Sequence, residues 1–367
     1  MRLPVFRGLA GWGACARLLA MGKRVMVAMS GGVDSSLAAA LLKEQGYEVV
    51  GVTLRLFPEV EGHPRPCCLA EDTGDARRVC GLLGIPHYIL NYEGPFRERV
   101  IGNFLDEYRR GRTPNPCLAC NREIKFHLLL QRALALGMDF LATGHYARIT
   151  NDGHYRLLRG VDPGKDQSYF LYSLGQEELA HLVMPVGDLR KERVRALARG
   201  LGLPTAEKPE SQDICFVPNG LASFLARHIE AEPGEVVDGE GRVLGGHPGV
   251  AFFTVGQRHG LGLSSPRPLY VLRIEAETNR LVVGTDERLY SRELVAGRLS
   301  WVAGPPLGPV EAEACIRYRS PAVPAHIEIV GDKARVLFSR PQRAVAPGQA
   351  VVFYRGEEVL GGGIMEA

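Results

Sequence analysis

The sequence is poor in several features that mark particular classes of protein. No uninterrupted apolar run approaches the roughly 20 residues of a membrane helix, so we expect no membrane association. Cysteine is scarce, with 8 among 367 residues, far below the density of a small disulfide-rich secreted protein. Aromatic residues make up only 7%, and the net charge is +3, too small to indicate nucleic-acid binding by itself. We therefore expect a cytoplasmic globular protein whose cysteines are more often ligands or catalytic groups than disulfides.

The chain divides into an α/β part and a β-rich part. Apolar segments at 23–29, 48–57, 85–90 and 138–143 alternate with helix-forming segments at 37–45, 71–83, 95–109 and 121–136. This alternation predicts a parallel sheet with helices on both faces. After about residue 225 the segments are short and β-rich, with Gly and Pro between them, which predicts one or two small antiparallel β domains.

The first 22 residues carry arginines at positions 2, 7 and 17 but no continuous apolar segment. A secretory signal requires such a segment. We therefore expect residues 1–22 to be either an N-terminal extension or the product of a start site placed too early, with Met21 as the true start.

A phosphate-binding loop is predicted at residues 30–36, which read SGGVDSS between the first strand and the first helix. Gly31 and Gly32 allow a sharp turn close to an anion, and the N–H groups that begin the helix can hold phosphate oxygens. Asp34 could help to place Mg²⁺. The loop lacks the lysine of a Walker A motif. It resembles instead the loop of the N-type ATP pyrophosphatases (PP-loop enzymes), which grip the β- and γ-phosphates while a substrate oxygen attacks the α-phosphate.

Three cysteines form the second candidate feature. Cys117 and Cys120 stand in TPNPCLACN, directly before a predicted helix, and Cys215 stands in SQDICF. A cysteine at a helix N-terminus has a lowered pKa and is more reactive. A structural zinc site needs four ligands, and no second CxxC motif is present. A reactive trio is therefore favoured over zinc.

Six segments in this order are similar to the tRNA-specific 2-thiouridylase family (MnmA). They are AMSGGVDSS at 28–36, TPNPCLACNREIKF at 113–126, ATGHYAR at 142–148, KDQSYFLY at 165–172, SQDICF at 211–216 and GQRHGLGL at 256–263. The resemblance implies ATP-dependent insertion of sulfur at C2 of the wobble uridine of tRNA, with sulfur from a cysteine persulfide. It also implies a PP-loop catalytic domain at 23–222, a small central domain at 223–297 and a C-terminal β-barrel at 298–367.

The resemblance also implies roles for individual residues. Cys120 would be the catalytic nucleophile and Cys215 would carry the persulfide, with a disulfide between them after transfer. ATP, with Mg²⁺, would be bound by Ala28, Met29, Ser30, Gly31, Gly32, Val33, Asp34, Ser35, Leu54 and Gly144. The target base would face Asn115, Pro116 and Cys117. Contacts to tRNA would come from His145, Lys165, Asp166, Gln167, Arg317, Tyr318 and Gln349.

Cys117 departs from the family pattern, because many members have Asp at this position. Three thiolates at Cys117, Cys120 and Cys215 suit a [4Fe–4S] cluster with one open iron. An iron–sulfur-dependent thiolase therefore stays open beside the persulfide route.

Two other functions stay open. A PP-loop ligase or amidotransferase would also adenylate its substrate, but it has no use for three thiols. A non-catalytic RNA-binding protein is the other, and residues 97–132 hold eight Arg or Lys against four Asp or Glu, a basic balance that fits RNA phosphates. The expected partners are tRNA and a sulfur-donor protein or cysteine desulfurase relay.

Overall fold

The computed structural model describes residues 22–57, 70–210, 214–217 and 220–366. Within these ranges the chain forms two compact units, residues 22–97 with 120–217 and residues 98–119 with 220–366. Most of the predicted N-terminal extension lies outside the described residues, as do Cys67 and Cys68. Within the described ranges, none of the helices has the length and apolar character needed to cross a membrane.

The strands and helices have the following bounds. The strands are β1 (Arg24–Ala28), β2 (Glu48–Arg55), β3 (His87–Asn91), β4 (Phe140–Ala142), β5 (Ala147–Asn151), β6 (Tyr155–Arg159), β7 (Leu182–Val183), β8 (Gly234–Val237), β9 (Val243–His247), β10 (Tyr270–Glu275), β11 (Arg280–Gly284), β12 (Tyr290–Trp301), β13 (Val310–Cys315), β14 (Val323–Val330), β15 (Lys333–Arg343), β16 (Ala350–Arg355) and β17 (Glu358–Met365). The α-helices are α1 (Val33–Gln45), α2 (Ala70–Leu83), α3 (Glu93–Phe96), α4 (Asn103–Arg109), α5 (Pro116–Ala119), α6 (Leu130–Ala135), α7 (Gln176–Leu179), α8 (Lys191–Gly200) and α9 (Leu221–His228). Two π-helices span Arg97–Gly102 and Cys120–Leu129, and 3₁₀ turns span Ser168–Leu171, Val250–Phe252 and Asp286–Leu289.

The first unit is built on a parallel sheet, as the sequence predicted. Its strand order is β3-β2-β1-β4-β7, and every neighbouring pair is parallel. In β1 the side chains of Val25, Met26 and Val27 are all buried, because a parallel sheet is covered on both faces. From the central strand β1 the chain first adds β2 on one edge, and β4 later pairs with the opposite edge of β1. In such sheets a crevice opens at the carboxyl ends of the two strands that flank this change of direction.

The second unit contains two β structures. A small sheet has the order β10-β11-β8-β9 and encloses its own apolar core. Six strands form a closed barrel in the order β12-β15-β14-β13-β16-β17, and β12 pairs with β17 to close it. Burial alternates along β14 and along the first part of β15, as expected for strands with one face in the barrel and one in water. The predicted β-barrel is therefore confirmed.

Residues 98–119 belong to this second unit and are anchored there by a buried carboxylate. Glu107 is 5% exposed and accepts bonds from the guanidinium groups of Arg112, at 2.7 Å, and Arg298, at 3.2 Å. The backbone N–H of Thr113 also donates to the carbonyl of Pro347 at 2.7 Å. A buried charge needs such partners, so these contacts fix the segment that leads to Cys117.

Candidate active site

The loop between β1 and α1 has the shape of a phosphate cradle. Gly31 has φ +73°, and a Cβ there would lie 2.3 Å from the carbonyl oxygen of Asp72, so only glycine fits. The hydroxyls of Ser35 and Ser36 donate to the carbonyl of Gly32 at 3.2 and 2.8 Å. Gly32 is the N-cap residue of α1 and has no side chain to occupy the first-turn N–H groups. Those donors and the helix dipole are suited to an anion.

Gly144 lies on the β4 side of the loop and packs against the first turn of α1. It follows β4, and a Cβ on it would lie 2.7 Å from the backbone nitrogen of Ser35 and 2.8 Å from the carbonyl carbon of Asp34. Both atoms belong to the backbone of α1 and cannot move aside as a flexible side chain can. The structure therefore brings two of the sequence-predicted ATP segments together, the loop and Gly144.

We expect Gly144→Ala to displace the first turn of α1 and to reduce ATP affinity, with about 1–3 kcal/mol lost from the free energy of unfolding as in other overpacked sites. The measurements are ATP binding by calorimetry and thermal unfolding. Gly74→Ala in α2 is the matched control, because a Cβ at Gly74 meets nothing within 4 Å. Unchanged ATP affinity in Gly144→Ala would remove Gly144 from the nucleotide site.

Leu54 lies in β2, which pairs with β1, the strand that leads into the loop. Its side chain is buried in β2, next to Thr53, whose hydroxyl donates to the carbonyl of Met29 at 2.9 Å. The Nε2 atom of His87 lies 2.9 Å from the same hydroxyl. Since the hydroxyl proton already points to Met29, His87 must donate here. These bonds fix the start of the loop.

Asp34 is the centre of a charged cluster that the sequence did not predict. Its carboxylate pairs with the ammonium of Lys191 at 2.8 and 2.9 Å and accepts a hydrogen bond from the Tyr146 hydroxyl at 2.7 Å. The same Lys191 ammonium lies 2.6 Å from one oxygen of Glu210. The other Glu210 oxygen pairs with Lys165 at 2.6 Å.

The pKa values in this cluster follow from burial and charge. Burial, and then the negative charge of Asp34, raise the pKa of Tyr146 far above its usual value, so its hydroxyl remains a donor. Partial burial alone would raise the pKa of Glu210, but hydrogen bonds from Lys165 and Lys191 outweigh it and lower that pKa to about 2. Glu210 is therefore ionised throughout the neutral range.

The cysteines occupy different units. Cys117 is exposed in the second unit, where its backbone N–H donates to Asn115 Oδ1 at 3.0 Å. Cys120 and Cys215 are both half-buried and lie in the first unit. Cys120 is the first residue of the π-helix Cys120–Leu129. All three are thiols, as is the buried Cys80, whose pKa burial raises to about 11. Among the described residues, no group of three or more His, Cys, Asp or Glu side chains is placed to hold a metal ion.

The second unit contains a cavity of about 450 Å³ that gathers four of the predicted contacts. Its lining residues are Thr113, Asn115, Thr254, Val255, Gly256, Gln257, Arg317, Tyr318, Arg343, Ala346 and Gln349. The side-chain amide of Gln349 donates to the carbonyl of Thr113 at 2.7 Å, and the guanidinium of Arg317 donates to the carbonyl of Ala344. The Gln349 bond joins the barrel to the residues just before the predicted base-facing segment. Sequence reasoning missed Gln257 and Arg343, since no local pattern marks them as neighbours of Arg317.

The other predicted RNA contacts lie in the first unit and have structural partners. His145 Nδ1 lies 2.8 Å from the hydroxyl of Thr143, and burial, followed by the charge of Lys125, holds the pKa of His145 well below its usual value. Asp166 accepts bonds from the backbone of Gly160 and Ser168, both at 3.0 Å. Gln167 Oε1 accepts from the backbone of Tyr146 at 3.0 Å. His145 is thus a neutral ring, and Asp166 and Gln167 shape the turn before Ser168.

Comparison with known families matches three domain models to the chain. They are the tRNA methyl transferase HUP domain at residues 23–219, the tRNA methyl transferase PRC-barrel domain at 222–285 and the aminomethyltransferase beta-barrel domain at 291–365.

Individual proteins match over almost the whole chain. The tRNA-specific 2-thiouridylase MnmA of Carboxydothermus hydrogenoformans is 53% identical, over 94% of this chain and 98% of that protein. The protein of the same name from Geobacter metallireducens is 51% identical, over 94% and 97%. Among solved structures, the U34-tRNA thiolase NcsA from Methanococcus maripaludis with its [4Fe–4S] cluster is 21% identical, with a TM-score of 0.37 over 60% of this chain and 66% of that one.

Proposed function

Because the chain belongs to the tRNA-specific 2-thiouridylase family, we propose that it catalyses the ATP-dependent 2-thiolation of the wobble uridine of tRNA. The observation that carries the proposal is the crevice at the ends of β1 and β4. There a glycine-shaped loop, an open helix N-terminus and Gly144 surround the carboxylate of Asp34. This geometry suits the triphosphate of ATP, and the family relationship supplies the acceptor.

The first half-reaction is adenylation. The loop N–H groups hold the β- and γ-phosphates as the leaving group, and Mg²⁺ bound at Asp34 would neutralise their charge. The C2 carbonyl oxygen of the uridine attacks the α-phosphorus, the bond to the β-phosphate oxygen breaks, and pyrophosphate leaves. The base must leave its stack to reach this site.

The second half-reaction transfers sulfur. The terminal sulfur of a Cys215 persulfide attacks C2, and the Cys120 thiolate attacks the inner Cys215 sulfur, so that the S–S bond of the persulfide breaks. C2 keeps the sulfur, its oxygen leaves with AMP, and a Cys120–Cys215 disulfide remains. A thiol reductant restores the two thiols, and a sulfur-donor protein or cysteine desulfurase relay reloads Cys215. Together with the scarcity of cysteine, this chemistry suits the reducing cytoplasm.

We propose catalytic, central and barrel domains at residues 23–222, 223–297 and 298–367, although residues 98–119 of the first range pack within the second unit. The cavity of the second unit would receive tRNA. Arg317 supplies a cation, Tyr318 a stacking surface and Asn115 an amide within one cavity, which are groups that bind phosphates and splayed bases.

The test of the function as a whole is ATP–pyrophosphate exchange with and without tRNA, combined with nucleoside analysis for 2-thiouridine. We expect exchange that depends on tRNA, and 2-thiouridine only when a sulfur donor is added. An adenylating ligase for a small carboxylate would exchange pyrophosphate without tRNA, and a non-catalytic RNA-binding protein would not exchange it at all.

We expect Arg317→Glu to weaken tRNA binding about tenfold or more and to lower the slope of log K against log salt by about 0.7–0.9, the contribution of one phosphate contact. The measurement is tRNA affinity at several salt concentrations. Arg340→Glu is the matched control, because Arg340 is exposed on the same barrel and does not line the cavity. An unchanged slope in Arg317→Glu would show that this residue does not contact phosphate.

Cys117→Asp separates the persulfide route from an iron–sulfur route. Under the proposed route we expect the variant to keep its thiolation rate with a sulfide or persulfide donor, because Cys117 neither carries nor attacks the transferred sulfur. The measurement is iron content and thiolation rate on the same anaerobic preparations. A parallel loss of iron and activity would contradict the persulfide route and favour the cluster.

A further inference from the structure

Thr113, the first residue of the segment TPNPC, is bonded to one turn of the barrel through both polar groups of its backbone. Its N–H donates to the carbonyl of Pro347 at 2.7 Å, and its carbonyl accepts a bond from the side-chain amide of Gln349, also at 2.7 Å. We call residues 347–349, in the connection between β15 and β16, the barrel turn. This turn therefore supplies the partners that both backbone groups of Thr113 need.

Gly348, in the middle of the barrel turn, allows this close approach. It has φ +92°, and a Cβ on it would lie 2.9 Å from the backbone nitrogen of Thr113 and 3.1 Å from the Cβ of Arg112. A glycine has neither the strain of a positive φ nor this clash. Gly348 does not belong to the lining of the cavity, so its role can be separated from contact with tRNA.

The barrel turn is itself fixed to the end of the barrel. The N–H of Gly348 donates to the carbonyl of Met365 at 3.0 Å, and the N–H of Met365 donates to the carbonyl of Gln349 at 2.8 Å. Met365 is the last residue of β17 and is fully buried. The hydroxyl of Thr113 also donates to the hydroxyl of Thr254 at 3.3 Å. Thr113 is therefore held by ordered parts of the second unit.

The chain that follows Thr113 has little freedom to absorb a displacement. Pro114 and Pro116 are buried, and their rings fix φ and restrict the residue before each of them. Between them, Asn115 Oδ1 accepts a bond from the backbone N–H of Cys117 at 3.0 Å. A shift of Thr113 is therefore carried along the chain to the three residues predicted to face the target base.

From these contacts we propose that the barrel turn acts through Thr113 to position the base-facing residues 115–117 during adenylation of the uridine. Gly348 and Thr113 are then positioning residues of the reaction. The inference rests on the proposed function, and it gives the barrel a part in the chemical step in addition to its part in tRNA binding. A misplaced segment would leave ATP and tRNA bound, with the C2 oxygen poorly aligned for attack on the α-phosphorus.

The test compares Gly348→Ala with Gly356→Ala. Gly356, in the turn between β16 and β17, has φ +59°, and a Cβ there meets nothing within 4 Å. Both substitutions place an alanine at a positive φ on the same barrel, and they differ in the clash with Thr113 and Arg112. The measurements are tRNA-dependent ATP–pyrophosphate exchange and 2-thiouridine formation as functions of tRNA concentration, ATP and tRNA affinities by calorimetry, and thermal unfolding.

We expect Gly348→Ala to lower the maximal rates of exchange and of thiolation by about 10- to 100-fold, because a misplacement of about 1 Å can cost that much. ATP and tRNA affinities should stay at their wild-type values, since neither site loses a contact. Gly356→Ala should keep the wild-type rates, although its positive φ lowers thermal stability. A purely structural role of Gly348 would lower thermal stability in the same way and leave the maximal rate per folded molecule unchanged.

Thr113→Val provides an independent check, because it removes the hydroxyl bond to Thr254 and keeps both backbone bonds. We expect a smaller loss of the maximal rate, again with unchanged tRNA affinity, and this variant decides the question if Gly348→Ala does not fold. A wild-type maximal rate in the deciding variant, or a loss that saturating tRNA restores, would overturn the positioning role and leave the proposed function intact. A wild type without tRNA-dependent exchange would count against the proposed function and the positioning role together.

Discussion

Cys215→Ser and Cys120→Ser should each lower 2-thiouridine formation by roughly 10³-fold or more, as expected when a nucleophile of a coupled pair is lost. A serine hydroxyl is not ionised near neutral pH and cannot carry a persulfide, whereas a cysteine thiolate can. Adenylation precedes sulfur transfer, so tRNA-dependent ATP–pyrophosphate exchange should persist in both variants. The measurements are nucleoside analysis and exchange on the same protein preparations.

The controls use the other cysteines. Cys80→Ala and Cys315→Ala should keep the thiolation rate per folded molecule, because both side chains are buried and neither has a role in the proposed transfer. The cavity left by the missing sulfur atom would lower the free energy of unfolding of these variants instead. The two serine variants should also differ from each other, since Cys120→Ser can still accept sulfur on Cys215 and should accumulate a persulfide there. Active Cys215→Ser protein would contradict both the persulfide route and the cluster route.

Asp34→Asn should strongly reduce pyrophosphate release while tRNA affinity changes little. The carboxylate of Asp34 faces Lys191 and Tyr146 at the loop, and an amide there can neither balance the lysine nor place Mg²⁺. A loss of roughly 10²–10³-fold is expected for removal of one preorganised electrostatic group. The proposed tRNA cavity lies in the second unit, and the substitution leaves its residues unchanged.

The measurement is pyrophosphate release at saturating tRNA, with tRNA affinity determined separately. Asp152→Asn is the matched control. Asp152 is an exposed acid in the turn between β5 and β6 of the first unit, and it pairs with Arg156 of β6 at 2.8 Å. Asp152→Asn should release pyrophosphate at the wild-type rate. Normal thiolation by Asp34→Asn would contradict the assignment of the loop.

Much of the fold could be predicted because the signals are local. Apolar segments near β1, β2, β3 and β4 alternate with helical ones, and this pattern predicted the parallel sheet that the structure confirms. The hairpin β5–β6 and helix α8 were not assigned. Five of the ten residues of α8 are charged, and the structure shows Val194, Leu197 and Ala198 buried on one side of the helix. A short, charge-rich segment of this kind is hard to distinguish from a solvated loop until its packing partner is known.

The assignment of residues 98–119 to the second unit could be made only from the structure. In the sequence they lie inside the segment 23–222 that was predicted as catalytic, and nothing local separates them from it. The bond between Glu107 and Arg298 joins this segment to a residue 191 positions later in the chain. Long-range ion pairs leave no mark in a single sequence, because either partner alone resembles an ordinary surface charge.

The sequence by itself determined the chemistry of the loop. SGGVDSS at 30–36 encodes a tight turn, a helix start and an acid within seven consecutive residues, so its properties depend on neighbours along the chain. The tertiary structure alone decided what surrounds that acid. Tyr146 and Lys191 lie 112 and 157 positions from Asp34, and Glu210 reaches it only through Lys191. These groups meet because parallel strands bring their carboxyl ends to one edge of the sheet, an arrangement that depends on strand order and packing rather than on any local pattern.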